Sequence, residues 1–179
     1  MKRWLIVLIA LVVLLVPSTA FAATYAEVTV TATPTYIALT NSEGSWALGT
    51  IAESSHFWWT ATGAAPAEPF VAGDMKSIIT NTGSVNVNIT VTGFDFTGVV
   101  GWALGPTVGS NIVVMKAGKT GDANEAAMVT LTTGAQGFIT ALPHTSGNTI
   151  KWCMKLSTGT FTDGSLKTGK VTLTASQTP

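Results

Sequence analysis

From Ala23 onward the chain shows no sustained helical period. Its apolar residues recur at every second position instead. Val28, Val30 and Ala32 alternate with Glu27, Thr29 and Thr31, and Val85, Val87, Ile89 and Val91 alternate with Asn86, Asn88, Thr90 and Thr92. Ile150, Trp152, Met154 and Leu156 are interleaved with Lys151, Cys153 and Lys155, and Val171, Leu173 and Ala175 with Lys170, Thr172 and Thr174. Successive side chains of a strand point to opposite faces, so each run carries one apolar and one polar face. This is the pattern of antiparallel strands with one side on a core and the other in water. The core is therefore expected to hold Val28, Val30, Val87, Ile89, Trp152, Met154, Val171 and Leu173.

Shorter candidate strands fill the gaps at residues 36–39, 45–51, 56–62, 75–80, 99–104, 112–116, 126–131 and 138–140. Turn-forming groups separate them, among them Asn41-Ser42-Glu43-Gly44, Asn81-Thr82-Gly83, Gly105-Pro106, Gly121-Asp122 and Asp163-Gly164. Residues 63–69, rich in Ala and Pro, read as a long loop. Many short strands at such spacing indicate a sandwich or barrel. The reading adopted is an all-β chain, an antiparallel β-sandwich of Ig-like or jelly-roll type, forming one domain over residues 23–179.

The first 22 residues read differently. Lys2 and Arg3 precede an uncharged apolar run from Trp4 to Val16, Pro17 ends it, and Ala20-Phe21-Ala22 places small residues where a signal peptidase cuts. That order defines a secretory signal peptide over residues 1–22. The run is shorter than the roughly 20 residues a spanning helix needs. The expected product is a secreted, extracellular or cell-surface protein beginning near Ala23, with the membrane met only through the transient signal.

Charge narrows the function. Charged residues are 10% of the chain, well below the usual figure of about a quarter. Of the nine basic residues, Lys2 and Arg3 belong to the leader, so seven lysines face nine acids and no arginine remains. Nucleic-acid affinity comes largely from basic groups meeting phosphates, and no basic cluster is present to supply it. Thr, Ser, Asn and Gly carry the polar surface instead. A single cysteine, Cys153, rules out an intrachain disulfide. It shares its strand face with Lys151 and Lys155, which favour a thiolate, although free cysteine is more commonly a small buried residue.

No catalytic order emerges. The two histidines, His56 and His144, lie in different regions, and there is no nucleophile elbow, phosphate loop or metal-spaced cluster. Carboxylates are scattered singly, whereas glycoside hydrolysis uses a facing pair. The chain is read as no enzyme and as needing no cofactor. Asp122, Asn124 and Glu125 follow Gly121 closely, and oxygen ligands in a loop suit calcium, with Asp95 or Asp163 joining from elsewhere. Trp58 and Trp59 are adjacent, so in a strand one faces the core and the other is exposed, or covered by a loop or partner. An exposed member could stack on a sugar ring. Trp46, Trp102 and Trp152 read as core. Thr-x-Thr pairs recur at Thr29/Thr31, Thr90/Thr92, Thr130/Thr132 and Thr172/Thr174; a flat threonine array could bind ice, but their irregular spacing reads as ordinary strand propensity.

The stretch Ala72-Gly73-Asp74-Met75-Lys76-Ser77-Ile78-Ile79-Thr80-Asn81-Thr82-Gly83-Ser84-Val85-Asn86-Val87-Asn88-Ile89 resembles a segment of the TasA/camelysin family of secreted fibre proteins, in which a Gly-Asp turn leads through a strand and Asn-x-Gly into another strand. Wall-binding domains of the WxL type use similar hairpins. The physical sense is a hairpin whose Asn-Thr-Gly turn tolerates positive φ. The tail from Phe161-Thr162-Asp163-Gly164 to Leu173-Thr174-Ala175 is similar to the final hairpin of secreted sandwiches. The resemblance implies a surface β-sandwich able to polymerise. The function expected is thus structural: a subunit of a cell surface, extracellular fibre or virion surface. Its partner would be itself, as a homo-oligomer or filament formed by exchange of a terminal strand, either 27–32 or 170–175. The alternative is a module binding a cell-surface glycan or the cell wall through an exposed tryptophan.

Overall fold

The computed structural model describes residues 35–179. The leader, the Ala20-Phe21-Ala22 motif and the first alternating run, with Val28 and Val30, lie outside the described residues. Among the described residues the protein is all-β with a β-sandwich-like fold. Its strands are β1 (Leu39–Asn41), β2 (His56–Trp59), β3 (Ser77–Asn81), β4 (Val87–Thr97), β5 (Ala103–Leu104), β6 (Ile112–Lys119), β7 (Val129–Thr130), β8 (Gln136–Leu142), β9 (Thr149–Ser157) and β10 (Thr168–Gln177). A short 3-10 turn at Glu125–Ala127 precedes β7.

The larger sheet runs β1-β3-β9-β6-β5, with β2 also beside β9 and β7 beside β6; the smaller runs β10-β4-β8. β9 is central. Its Met154–Ser157 half pairs with β2 and its Thr149–Trp152 half with β3, while β6 pairs along the other edge. The inward residues Trp152, Met154 and Leu156 meet Val87, Ile89 and Val91 of β4 and Phe138, Ile139 and Leu142 of β8 in one buried cluster. Burying each such side chain stabilises the fold by about 1.5–3 kcal/mol. Of the expected core, Val171 and Leu173 are only half-buried.

Three expectations are corrected. The polar face of β9 is not wet: Cys153 and Lys155 are buried. The β2–β3 connection folds over that face and, with Met128, forms a second apolar cluster of Phe70, Met75, Met128 and Cys153 with Trp58 at its margin. Gly118 on β6 makes room for it, because a Cβ there would lie 2.9 Å from the Phe70 ring.

Residues 45–51 form no strand. Gly49 turns the backbone at φ +64, and the segment runs as a covering loop.

Neither expected hairpin is one. β3 and β4 lie in different sheets, as do β9 and β10, so both links cross from sheet to sheet. Gly83 does not take positive φ. It is required because a Cβ would sit 2.6 Å from Tyr36 O and 2.9 Å from Ala38 N. The crossing is pinned by Asn81, fully buried, whose Nδ2 donates to Val85 O at 2.8 Å, Pro143 O at 3.0 Å and Leu142 O at 3.1 Å. Its Oδ1 accepts from Gly83 N at 3.0 Å.

Candidate functional site

Among the described residues the two sheets do not close on the β10 side. β10 pairs with β4 from Thr168 to Gln177, and its other edge meets no described strand. Beside that edge a groove of about 1240 Å³ opens between the sheets. Trp59, Met154 and Leu156 of the larger sheet line it, together with Val171 and Leu173 of β10 and Trp46 of the segment between β1 and β2. The groove explains why Val171 and Leu173 stay half-exposed while Val91, opposite Leu173 in register, is fully buried. It is larger than the roughly 300–1,000 Å³ of an ordinary small-molecule pocket.

Aromatic rings furnish it. Trp46 stacks on Trp59 with centroids 6.4 Å apart, and Trp59 meets Trp152 edge-on at 5.2 Å. Further along, Trp102 stacks on Phe161 at 4.3 Å, and its buried Nε1 has no hydrogen-bond partner among the described residues. Trp102 and Trp152 are core as expected; Trp46 is half-buried over the groove. At that end Lys167 pairs with Asp163. Hydrogen bonds from Lys167 and then Ser165 hold the Asp163 carboxyl well below the usual carboxylate range.

The residues read as calcium ligands have other partners. Glu125 accepts from Lys155 Nζ at 2.7 Å and from Lys116 Nζ at 3.2 Å. Burial acts to raise the Glu125 carboxyl, but the hydrogen bonds from Lys155 and Lys116 outweigh it and leave it below its ordinary value. Asp122 accepts from Lys119 Nζ at 3.0 Å and from Lys119 N at 2.9 Å. Asn124 Oδ1 caps the 3-10 turn through Ala126 N at 2.9 Å. Asp95 accepts from Leu104 N at 2.8 Å, away from this loop. Among the described residues no group of three or more His, Cys, Asp or Glu is placed to hold a metal ion.

Trp59 is the core member of its pair and lines the groove. Trp58, on the opposite face, is half-buried in the second cluster, with Lys155 Nζ 5.1 Å from its ring centroid. Next to it Cys153 is fully buried. Burial, reinforced by the negative charge of Asp122, pushes its thiol up to about 12.

His56 and His144 remain apart in their partners. His56 Nδ1 lies 2.9 Å from Ser157 Oγ, a cross-strand neighbour, and His144 Nδ1 lies 3.0 Å from Asn86 Oδ1. No carboxylate is bonded to either ring among the described residues. Two of the threonine pairs do meet in register, Thr172 beside Thr92 and Thr174 beside Thr90. Thr130 pairs with Lys116 in the other sheet, so among the described residues the array ends at two strands; Thr29 and Thr31 lie outside them.

The sequence reading missed the groove, the buried Lys155 and the buried Asn81. Only Asn81 left a local signal, its place in Asn-x-Gly; the other two arise from packing between distant segments. Comparison with protein-family models, with curated proteins and with solved structures found no match.

Proposed function

We propose that this chain is a non-catalytic structural subunit, secreted to a cell surface, extracellular fibre or virion surface, that polymerises by strand exchange. The observation that carries the reading is the β10 edge that no described strand covers, beside an apolar groove. A strand from a neighbouring copy entering there would bond to the free edge and bury alternate side chains against Trp59 and Leu156. Residues 27–32, with their period-two pattern, are the donor; the other candidate, 170–175, is already paired with β4 over its length. The reading carries with it an Ig-like or jelly-roll strand order and removal of residues 1–22 on export.

The test compares the exported protein with a variant lacking residues 23–32, by light scattering and negative-stain microscopy. Polymers of the full chain alone are expected. A full chain that stays a monodisperse monomer at high concentration overturns the reading, and a shift on a glycan array would then put a glycan-binding module in its place.

A further inference from the structure

We propose that residues 44–51 are a displaceable strap, which covers the groove in the unassembled subunit and gives up its seat to the incoming strand. This rests on the strand-exchange reading and names how that site is controlled.

The strap is tied at both ends and loose between them. Upstream, Ser42 N donates to Ile78 O at 2.9 Å and Glu43 N to Ser77 Oγ at 3.2 Å. Asn41 Oδ1 accepts from Ser77 Oγ at 2.8 Å and from Trp152 Nε1 at 2.9 Å. Downstream, Ser54 N donates to Gly159 O at 3.1 Å, Thr158 Oγ1 donates to Ala52 O at 2.8 Å, and the Glu53 carboxylate accepts from Phe161 N. From Gly44 to Ile51 no backbone group bonds to any described residue. Trp46, Leu48 and Ile51 hold the middle by packing alone, all three half-buried against the core. Gly44 and Gly49 bracket Trp46 and Leu48, and Gly49 sits at φ +64, where glycine is unstrained.

Such a cover is weaker than the strand it keeps out. An entering strand gains the hydrogen bonds of the β10 edge as well as apolar burial, whereas the strap contributes burial of three half-exposed side chains. The difference favours exchange. Until a partner arrives, the strap keeps the apolar floor of the groove from nonspecific association, the hazard that an open edge beside an exposed apolar surface presents.

Hydroxyl-radical footprinting of the full exported chain, read by mass spectrometry in dilute and assembled samples, tests this. Oxidation of Trp46 and Leu48 is expected to rise several-fold on assembly while that of Val171 and Leu173 falls. If Trp46 becomes protected together with Leu173, it is a permanent part of the groove wall and the strap proposal fails. Trp46→Ala should shorten the lag before scattering rises; an equal or longer lag also overturns it. A wild-type chain that never assembles overturns the strand-exchange reading itself, which the other two outcomes leave standing.

Discussion

Lys155 Nζ lies 2.7 Å from Glu125 Oε2, and this carboxylate, shared with Lys116, is what a lysine on the central strand has for a counter-ion. The Lys155 side chain is 10% exposed and that of Glu125 35%. Removing one partner of a buried pair leaves the other charge uncompensated, at a cost of about 3–5 kcal/mol. Glu125→Gln should approach the lower end, because solvent reaches a third of Glu125. Lys116→Gln, which leaves the Lys155 contact in place, should cost less than half as much. Denaturant melts of both variants check the order; equal losses would mean that Lys155 finds another partner.

The same pair sets an acid dependence. The folded Glu125 carboxyl lies below its ordinary value of 4.5. Its contribution is therefore present above pH 4.5 and is lost as the pH falls through the depressed folded value. The wild type should lose stability on acidification below that point, and Glu125→Gln should flatten this part of the profile. A parallel profile in the variant would place the acid sensitivity elsewhere.

Cys153 should be inert in the folded protein. Its thiol is fully buried and pushed up to about 12, so the reactive thiolate is suppressed at pH 8. A thiol reagent should leave the native protein unmodified and label one equivalent in denaturant. The unfolded thiol ionises near 9.0, so this group's contribution is intact below that pH and declines as the pH rises toward about 12. Rapid native labelling would show that the Phe70–Met128 cover opens readily.

Alternation made the inner faces of β4 and β9 legible, since Val87, Ile89 and Val91, like Trp152, Met154 and Leu156, are buried as read. It could not show that β9 is covered twice. The second cover comes from Phe70, Met75 and Met128, far from Cys153 in sequence, and a single apolar face leaves no trace of it. Residues 45–51 carry apolar side chains at Trp46 and Leu48, two apart, which imitates a strand; hydrogen bonding, which the sequence does not display, decides otherwise. Asn81-Thr82-Gly83 and Asp163-Gly164 were legible as breaks, since each lies at the end of a strand or between two strands, although neither closes a hairpin. Turn chemistry is local, however, and the sheet a following strand joins is set by the global arrangement of hydrophobic faces. The groove was invisible for the same reason: it is a gap between elements.

Asn81 and Gly83 should be among the costliest positions outside the apolar core. Asn81→Leu strips the buried carbonyl of Leu142 and the part-buried carbonyls of Val85 and Pro143 of a donor. Each buried polar group left unpaired costs about 1–3 kcal/mol. Gly83→Ala forces a Cβ against Tyr36 O and Ala38 N, both backbone atoms that cannot rotate aside. Thr82→Ala, at an exposed position between them, should be nearly neutral. Urea midpoints for the three variants decide the matter, and a neutral Asn81→Leu would deny the crossing its role as a clamp.

Leu173 separates the folded subunit from the assembled one. It faces the groove, is half-buried and stands opposite Val91 in register. In the free subunit a lysine at this position can run its alkyl stem along the groove wall and keep its ammonium in water. With a neighbouring strand seated, the same ammonium would be enclosed against apolar side chains and stripped of water, which is far costlier than any exposed charge. Thr174, the next residue, is exposed on the opposite face of β10. Leu173→Lys should therefore fold and remain monomeric, while Thr174→Lys should assemble as the wild type does. Thermal melts establish that both variants are folded, and light scattering across a concentration series reads the assembly. Polymerisation of Leu173→Lys at the same concentration as Thr174→Lys would mean that nothing enters the groove beside β10, and assembly through this edge would be excluded.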